Sequence, residues 1–124
     1  MIVVDPSALI AILLKEEDAR RYTSALEDAS MSLIASASYV ELCAVMSKRR
    51  PSKSLAAVDE ILAEMNVVIE PFTPEQARMA RDAYVRYGVL NFGDVFSYAL
   101  AKEKGYPLLF KGDDFAQTDI EAAA

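Results

Sequence analysis

Short apolar runs alternate with longer amphipathic stretches along this chain. Four of these runs have the length and the side chains of buried strands, and they cover Ile2–Val4, Ser32–Ala35, residues 67–69 and residues 108–110. Runs of this length that are apolar at almost every position are typical of parallel strands covered on both faces. The pattern therefore predicts one parallel sheet built from all four.

The stretches between these strands repeat their apolar side chains at helical spacing. The predicted helices cover residues 8–14, 16–29, 38–46, 55–65, 73–87 and 91–104. Two of the starts carry cap signals, because Ser38 and Glu41 match the S-x-x-E capping box and Thr73 precedes a proline. Strands alternating with helices predict an α/β fold, a three-layer α/β/α single domain over residues 1–124 with a short parallel sheet of four to five strands. The alanine-rich end after Ile120 is expected to fray.

Four acidic residues lie where a predicted strand ends or a predicted helix begins. Asp5 follows the first strand, Glu41 and Asp94 lie in first helical turns, and Asp113 follows the last strand. In parallel α/β sheets these positions share one edge, where functional sites are usually built. Carboxylates gathered there would repel one another, by about 4 kcal/mol for a pair ~4 Å apart at an effective dielectric of 20. Mg²⁺ or Mn²⁺, which prefer carboxylate and water oxygens, would remove that repulsion.

Each acid also has a structural interpretation. Glu41 can be the capping-box partner of Ser38, Asp94 can complement a helix dipole, and Asp113 can be a turn residue, as can Asp114. Asp5 is the hardest to explain in this way, since it follows an all-apolar strand. The spacing alone does not show that the four converge.

Composition narrows the chemistry. The chain has 124 residues, is 53% hydrophobic and carries a formal net charge of -6, which argues against broad nonspecific binding of nucleic acid. It contains no histidine, so histidine acid–base catalysis, Ser-His-Asp triads and ordinary zinc sites are excluded. Its one cysteine, Cys43, excludes an internal disulfide and suits a reducing compartment. No apolar run reaches the ~18 residues of a membrane span, so a cytoplasmic protein is expected.

Four blocks of sequence resemble the PIN-domain family, specifically the VapC-type toxin ribonucleases of type II toxin–antitoxin systems. The blocks are MIVVDPSALIAIL, SYVEL, LNFGDVFSYALA and PLLFKGDDFAQTDI. The resemblance implies a PIN-like fold, with the family's acidic quartet falling on Asp5, Glu41, Asp94 and Asp113 as catalytic and metal-binding residues. Motif alignment selects Asp113 over its neighbour Asp114, which is the alternative for the fourth acid. It further implies an endoribonuclease that uses Mg²⁺ or Mn²⁺ to hydrolyse RNA phosphodiesters, forms a homodimer and is held inactive by a cognate antitoxin.

Three positions depart from the family pattern. Pro6 stands where the family usually has Thr or Ser, so a hydroxyl beside the first acid is missing while Ser7 remains. Lys111 stands where many PIN domains have Thr or Ser, and Val95 replaces a common Cys. None of these changes removes a carboxylate. Pro6 keeps open the alternative of a catalytically idle PIN-like module with a partner-binding and regulatory role, such as regulation of transcription through its antitoxin.

Other interpretations rest on weaker features. A phosphoryl-transfer α/β protein fits poorly, because a haloacid-dehalogenase-type site needs a second Asp where Ser7 stands. Basic residues are candidate RNA phosphate contacts, with Lys111 the best placed, and the remainder are Lys48, Arg49, Arg50 and Lys53. Aromatic side chains at helical spacing are expected in the core or at a dimer contact, and they are Tyr84, Tyr87, Phe92, Phe96 and Tyr98.

Overall fold

The structure is a computed structural model that describes residues 1–52 and 54–124. Its strands are β1 (Ile2–Val4), β2 (Ser32–Ala35), β3 (Val67–Glu70) and β4 (Leu108–Leu109). Its helices are α1 (Pro6–Leu13), α2 (Ala19–Asp28), α3 (Ser36–Arg49), α4 (Ser54–Glu64), α5 (Pro74–Arg86) and α6 (Asp94–Lys104), and a 3₁₀ turn follows at Phe115–Gln117. Among these residues, no helix has both the length and the apolar composition to cross a membrane.

The four strands form one parallel sheet in the order β3-β2-β1-β4. Alternate side chains of the sheet enter two separate cores: Val3 packs with α5 and α6 on one face, and Val4 packs with α1 to α4 on the other. Both valines are fully buried, which explains why their strand is apolar at every position. The three-layer α/β/α prediction is confirmed, with four strands in the sheet.

Several predicted helix starts were wrong in detail, including that of α2, which begins at Ala19 and not at residue 16. Helix α1 begins at Pro6 with Asp5 as its N-cap, and not at residue 8 as predicted. Helix α3 begins at Ser36, so Ser38 and Glu41 lie inside it and form no capping box. The start at Thr73 is confirmed, since its hydroxyl accepts a hydrogen bond from the Gln76 N–H at 3.1 Å.

The C-terminal tail is held against the sheet, so the prediction that it frays was wrong. The backbone N–H of Leu108 donates to the Glu121 carbonyl at 2.8 Å, and the Ala123 N–H donates to the Leu108 carbonyl at 2.9 Å. Asp119 anchors the approach to this pairing by accepting from the Tyr98 hydroxyl at 2.6 Å and from the Lys102 ammonium at 2.9 Å. These hydrogen bonds outweigh the fraying expected of a terminus.

Candidate functional site

Asp5 lies at the carboxyl end of the central strand and is buried, and both of its carboxylate oxygens accept hydrogen bonds. Its Oδ2 accepts hydrogen bonds from the Ser7 backbone N–H at 3.0 Å and from the Ser7 hydroxyl at 2.6 Å. Its Oδ1 accepts from the Ser97 hydroxyl at 2.6 Å. Burial raises the pKa of Asp5 above its usual range, and these hydrogen bonds oppose that rise. The carboxylate is therefore held in one orientation.

Glu41 lies in the second turn of α3 and extends to the start of α6. A Cβ atom added at Gly93 would lie 2.1 Å from the Glu41 Oε2 atom, so the carboxylate occupies space that only glycine leaves open. Burial raises the pKa of Glu41 to about 7, and the negative charges of Asp5 and Asp94 add to the rise. Glu41 therefore lies near enough to Asp5 and Asp94 for their charges to act on it.

Asp94 opens α6 and exchanges two hydrogen bonds with Asn91. The Asp94 N–H donates to the Asn91 Oδ1 at 2.9 Å, and the Asn91 N–H donates to the Asp94 Oδ2 at 3.0 Å. The Asn91 side chain therefore bonds to the first N–H of the helix, although the N-cap of α6 is Gly93 and not Asn91. Burial raises the pKa of Asp94, and the charges of Asp5 and Asp114 raise it further. Asp94, the first residue of α6, therefore belongs with Asp5 and Glu41 to a group that we call the acidic cluster.

The loop after β4 carries two exposed acids, Asp113 and Asp114. The charge of Asp114 acts on Asp94. The backbone carbonyl of Asp113 accepts a long hydrogen bond of 3.4 Å from the Gln117 side chain. The motif selects Asp113 over Asp114 as the fourth acid, and the charge of Asp114 that acts on Asp94 keeps Asp114 as the alternative.

The donor set of this cluster suits a hard divalent cation. Every candidate ligand is a carboxylate oxygen, and the chain has no histidine to recruit a softer metal. Within residues 1–52 and 54–124, no three acidic side chains stand close enough to ligate one ion directly. Mg²⁺ keeps several of its waters and uses one or two carboxylates, so wider spacing is compatible with it. The Glu41 carboxylate lies where a side chain at position 93 would otherwise lie, so the absence of a side chain at Gly93 makes room for one of these candidate ligands.

Ser7 compensates for the hydroxyl that Pro6 lacks. Besides donating to Asp5, the Ser7 hydroxyl accepts from the Lys111 backbone N–H at 3.0 Å, which ties the end of β4 to the first acid. Pro6 occupies the first position of α1, where its missing N–H costs nothing. Pro6 was the reason to consider a catalytically idle module, but Asp5 still has a hydroxyl partner in Ser7.

Lys111 and the basic residues at the end of α3 lie in different surroundings. The Lys111 ammonium pairs with Glu16 at 2.6 Å and with Asp18 at 3.0 Å, so two carboxylates already occupy the candidate phosphate contact. Lys48 and Arg49 end α3, and Arg50 caps it; all three are exposed. Lys53 lies outside the described residues.

The aromatic residues divide between core and surface. Tyr98 is buried, and Phe96 and Tyr87 pack against the same core. The rings of Phe92 and Phe96 meet edge to face, with 5.1 Å between their centroids. Tyr84 and Phe92 are largely exposed. Val95, which replaces a common Cys of the family, is buried in the core, so this departure from the family pattern is a change in packing.

Sequence reasoning missed three residues of the site, Gly93, Ser97 and Ser38. Gly93 directly precedes Asp94, and each serine lies three residues from an acid on the same helix. A polar residue at a core position of a helix was the available signal, since buried hydroxyls require partners.

Comparisons with known proteins agree on one family. Residues 2–121 match the family model described as PIN domain. The chain is 44% identical over 128 residues to Ribonuclease VapC28 of Mycobacterium tuberculosis, covering 98% of this chain and 96% of that protein. Its fold is similar to the crystal structure of Mycobacterium tuberculosis VapC20, a sarcin-ricin loop cleaving toxin, with TM-score 0.82, 18% identity and coverage of 97% and 96%. It is also similar to a toxin–antitoxin complex from Klebsiella pneumoniae, with TM-score 0.74, 17% identity and coverage of 96% and 93%.

Proposed function

Because this chain belongs to the PIN-domain family and, within it, to the VapC ribonucleases, we propose that it is a metal-dependent endoribonuclease and the toxin of a type II toxin–antitoxin pair. One observation carries the metal site in this proposal: the Glu41 carboxylate of α3 lies in the space beside Gly93 at the start of α6, where the charges of Asp5 and Asp94 both raise its pKa. Mutual repulsion of this kind is what a divalent cation relieves.

We assign the metal-binding and catalytic roles to Asp5, Glu41, Asp94 and Asp113, with Mg²⁺ or Mn²⁺ as the cation. Such a cation, when bound, lowers the pKa of water and stabilises negative charge on a phosphate. The protein's own contribution is orientation. Ser7 and Ser97 hold Asp5, and the missing side chain of Gly93 leaves room for the Glu41 carboxylate.

RNA is the proposed substrate, and a cognate antitoxin and a second copy of this chain are the proposed partners. The similarity to a structure described as a toxin–antitoxin complex supports the antitoxin. An apolar groove of about 310 Å³ lies between α5 and α6, and the exposed side chains of Tyr84, Val85 and Phe92 line it. An exposed apolar surface of this kind supports self-association.

The direct test is RNA cleavage by the purified protein. We expect cleavage in the presence of Mn²⁺ or Mg²⁺, its loss on addition of a chelator and its return when excess metal is restored. The reason is that no histidine is available for an alternative acid–base mechanism. Cleavage that continues in excess chelator would contradict the proposed metal dependence.

Metal affinity is expected to increase with pH near neutrality. Since the pKa of Glu41 is raised to about 7, protons compete with the cation below that pH. Calorimetric Mn²⁺ titrations should therefore show tighter binding at pH 8 than at pH 6.

The raised pKa of Glu41 also predicts how the stability of the metal-free protein changes with pH. A raised carboxyl pKa means that the folded state binds the proton more tightly than the unfolded state does. The contribution of Glu41 is thus most favourable below pH 4.5 and falls as the pH rises to about 7. Glu41→Gln should flatten this part of the profile, measured as urea unfolding midpoint against pH. An unchanged profile would show that Glu41 does not titrate in this range.

A further inference from the structure

Two fully buried serines form a chain of hydroxyl groups that ends on Asp5. The Ser97 hydroxyl donates to the Asp5 Oδ1 at 2.6 Å, and the Ser38 Oγ lies 3.2 Å from the Ser97 Oγ. Neither serine is accessible to solvent. The chain is therefore a feature of the protein interior.

The chemistry of the groups gives the chain a direction. An ionised carboxylate only accepts hydrogen bonds, and a serine hydroxyl has one proton to donate. The proton of Ser97 is directed to Asp5, so in the contact between the serines Ser38 donates and Ser97 accepts. The order is thus Ser38 to Ser97 to Asp5.

Each serine lies on the same helix as another candidate acid and three residues from it. Ser38 precedes Glu41 on α3, and Ser97 follows Asp94 on α6. Residues three apart on a helix are neighbours on one face, with about 5–6 Å between their Cβ atoms. The hydroxyl chain therefore joins α3, α6 and the end of β1, the three elements that carry Glu41, Asp94 and Asp5.

We propose that Ser97, supported by Ser38, is a positioning residue that fixes the orientation of Asp5 and the spacing of α3 and α6 around the acidic cluster. The inference rests on the proposed function for its consequence, the binding of a divalent cation. Removing a hydrogen-bond partner of a metal-binding carboxylate typically lowers metal affinity or activity by about 10- to 100-fold. We expect an effect of about that order here.

A matched control exists elsewhere in the sheet. Ser32 is also fully buried, and within residues 1–52 and 54–124 its hydroxyl has no hydrogen-bond partner. It begins β2, at the end of the strand opposite the acids. Ser32→Ala makes the same chemical change as Ser97→Ala at equal burial, without touching the hydroxyl chain.

The first measurement compares Mn²⁺ affinity by calorimetry and kcat and KM for RNA cleavage in these two variants. We expect Ser97→Ala to weaken Mn²⁺ binding and lower kcat by ~10-fold or more, with a smaller change in KM, and Ser32→Ala to leave all three unchanged. Equal Mn²⁺ affinity in Ser97→Ala and the wild-type protein would overturn the proposal.

The second measurement needs no metal. In a double-mutant cycle, Ser38→Ala and Ser97→Ala are expected to lower the urea midpoint by less together than the sum of their separate effects, because both break one chain. Additive effects would overturn the hydroxyl chain. Wild-type protein that binds no Mn²⁺ would refute the proposed function instead, and the metal-free cycle would still decide whether the chain exists.

Discussion

Asp94→Asn is expected to lower Mn²⁺-dependent RNA cleavage by ~100-fold or more while leaving the fold intact. A metal-binding carboxylate should matter at least as much as the partners that orient it, which typically contribute up to about 100-fold. The fold should survive because asparagine can still accept the hydrogen bond from the Asn91 N–H that Asp94 accepts at 3.0 Å. The measurement is the initial cleavage rate at saturating Mn²⁺, with circular dichroism to check folding.

A surface acid provides the control for this variant. Asp82 lies on α5 and pairs with Arg81 at 2.9 Å, with both side chains about two-thirds exposed at 69% and 67%. Asp82→Asn therefore removes one negative charge away from the cluster, and its cleavage rate should match the wild-type rate. If Asp94→Asn cleaves RNA as fast as wild type, the proposed mechanism is wrong.

The same assay assigns the fourth acid. The family pattern selects Asp113, whereas the charge that acts on Asp94 belongs to Asp114. With Asp113 in the metal-binding role, Asp113→Asn shows the greater loss of cleavage. A greater loss in Asp114→Asn would transfer the role to Asp114.

Gly93→Ala is expected to separate metal binding from stability. The added methyl group would lie 2.1 Å from the Glu41 Oε2 atom, so the flexible end of the Glu41 side chain must leave its position. Gly93 has φ -70° and ψ -34°, a conformation that alanine adopts without strain. We therefore expect an unfolding free energy unchanged or higher by up to ~1 kcal/mol. Mn²⁺ affinity should fall by ~10-fold or more, by analogy with other changes beside metal ligands.

Gly88 offers the matched control for this substitution. A Cβ atom added there would meet nothing within 4 Å. Gly88→Ala should therefore leave both the calorimetric Mn²⁺ affinity and the urea unfolding midpoint close to wild type. Gly93→Ala that binds Mn²⁺ as tightly as Gly88→Ala would show that Glu41 does not need its present position.

Local pattern predicted the elements well where one signal dominated. Strand β1 is apolar on both faces because both of its faces are covered, and Gly105 ends α6 with φ 71°, a conformation that glycine adopts without cost. The capping box predicted at Ser38 was wrong because α3 begins two residues earlier, at Ser36, and the Ser38 hydroxyl instead contacts Ser97, 59 residues away. The prediction that the C-terminal tail frays also failed because of a contact with a distant residue, since the tail pairs with Leu108 on the edge strand β4.

The amino-acid sequence by itself determined the order of strands and helices, the exclusion of histidine chemistry and the resemblance to one family. These follow from periodicity, composition and motif, which are local properties. Only the tertiary structure decided that Asp5 and Ser97, 92 residues apart, share a hydrogen bond, that Glu41 occupies the space above Gly93, and that Asp114 acts on Asp94. Contacts between distant segments depend on how the helices pack on the sheet, and side-chain spacing along the chain carries no measure of that packing.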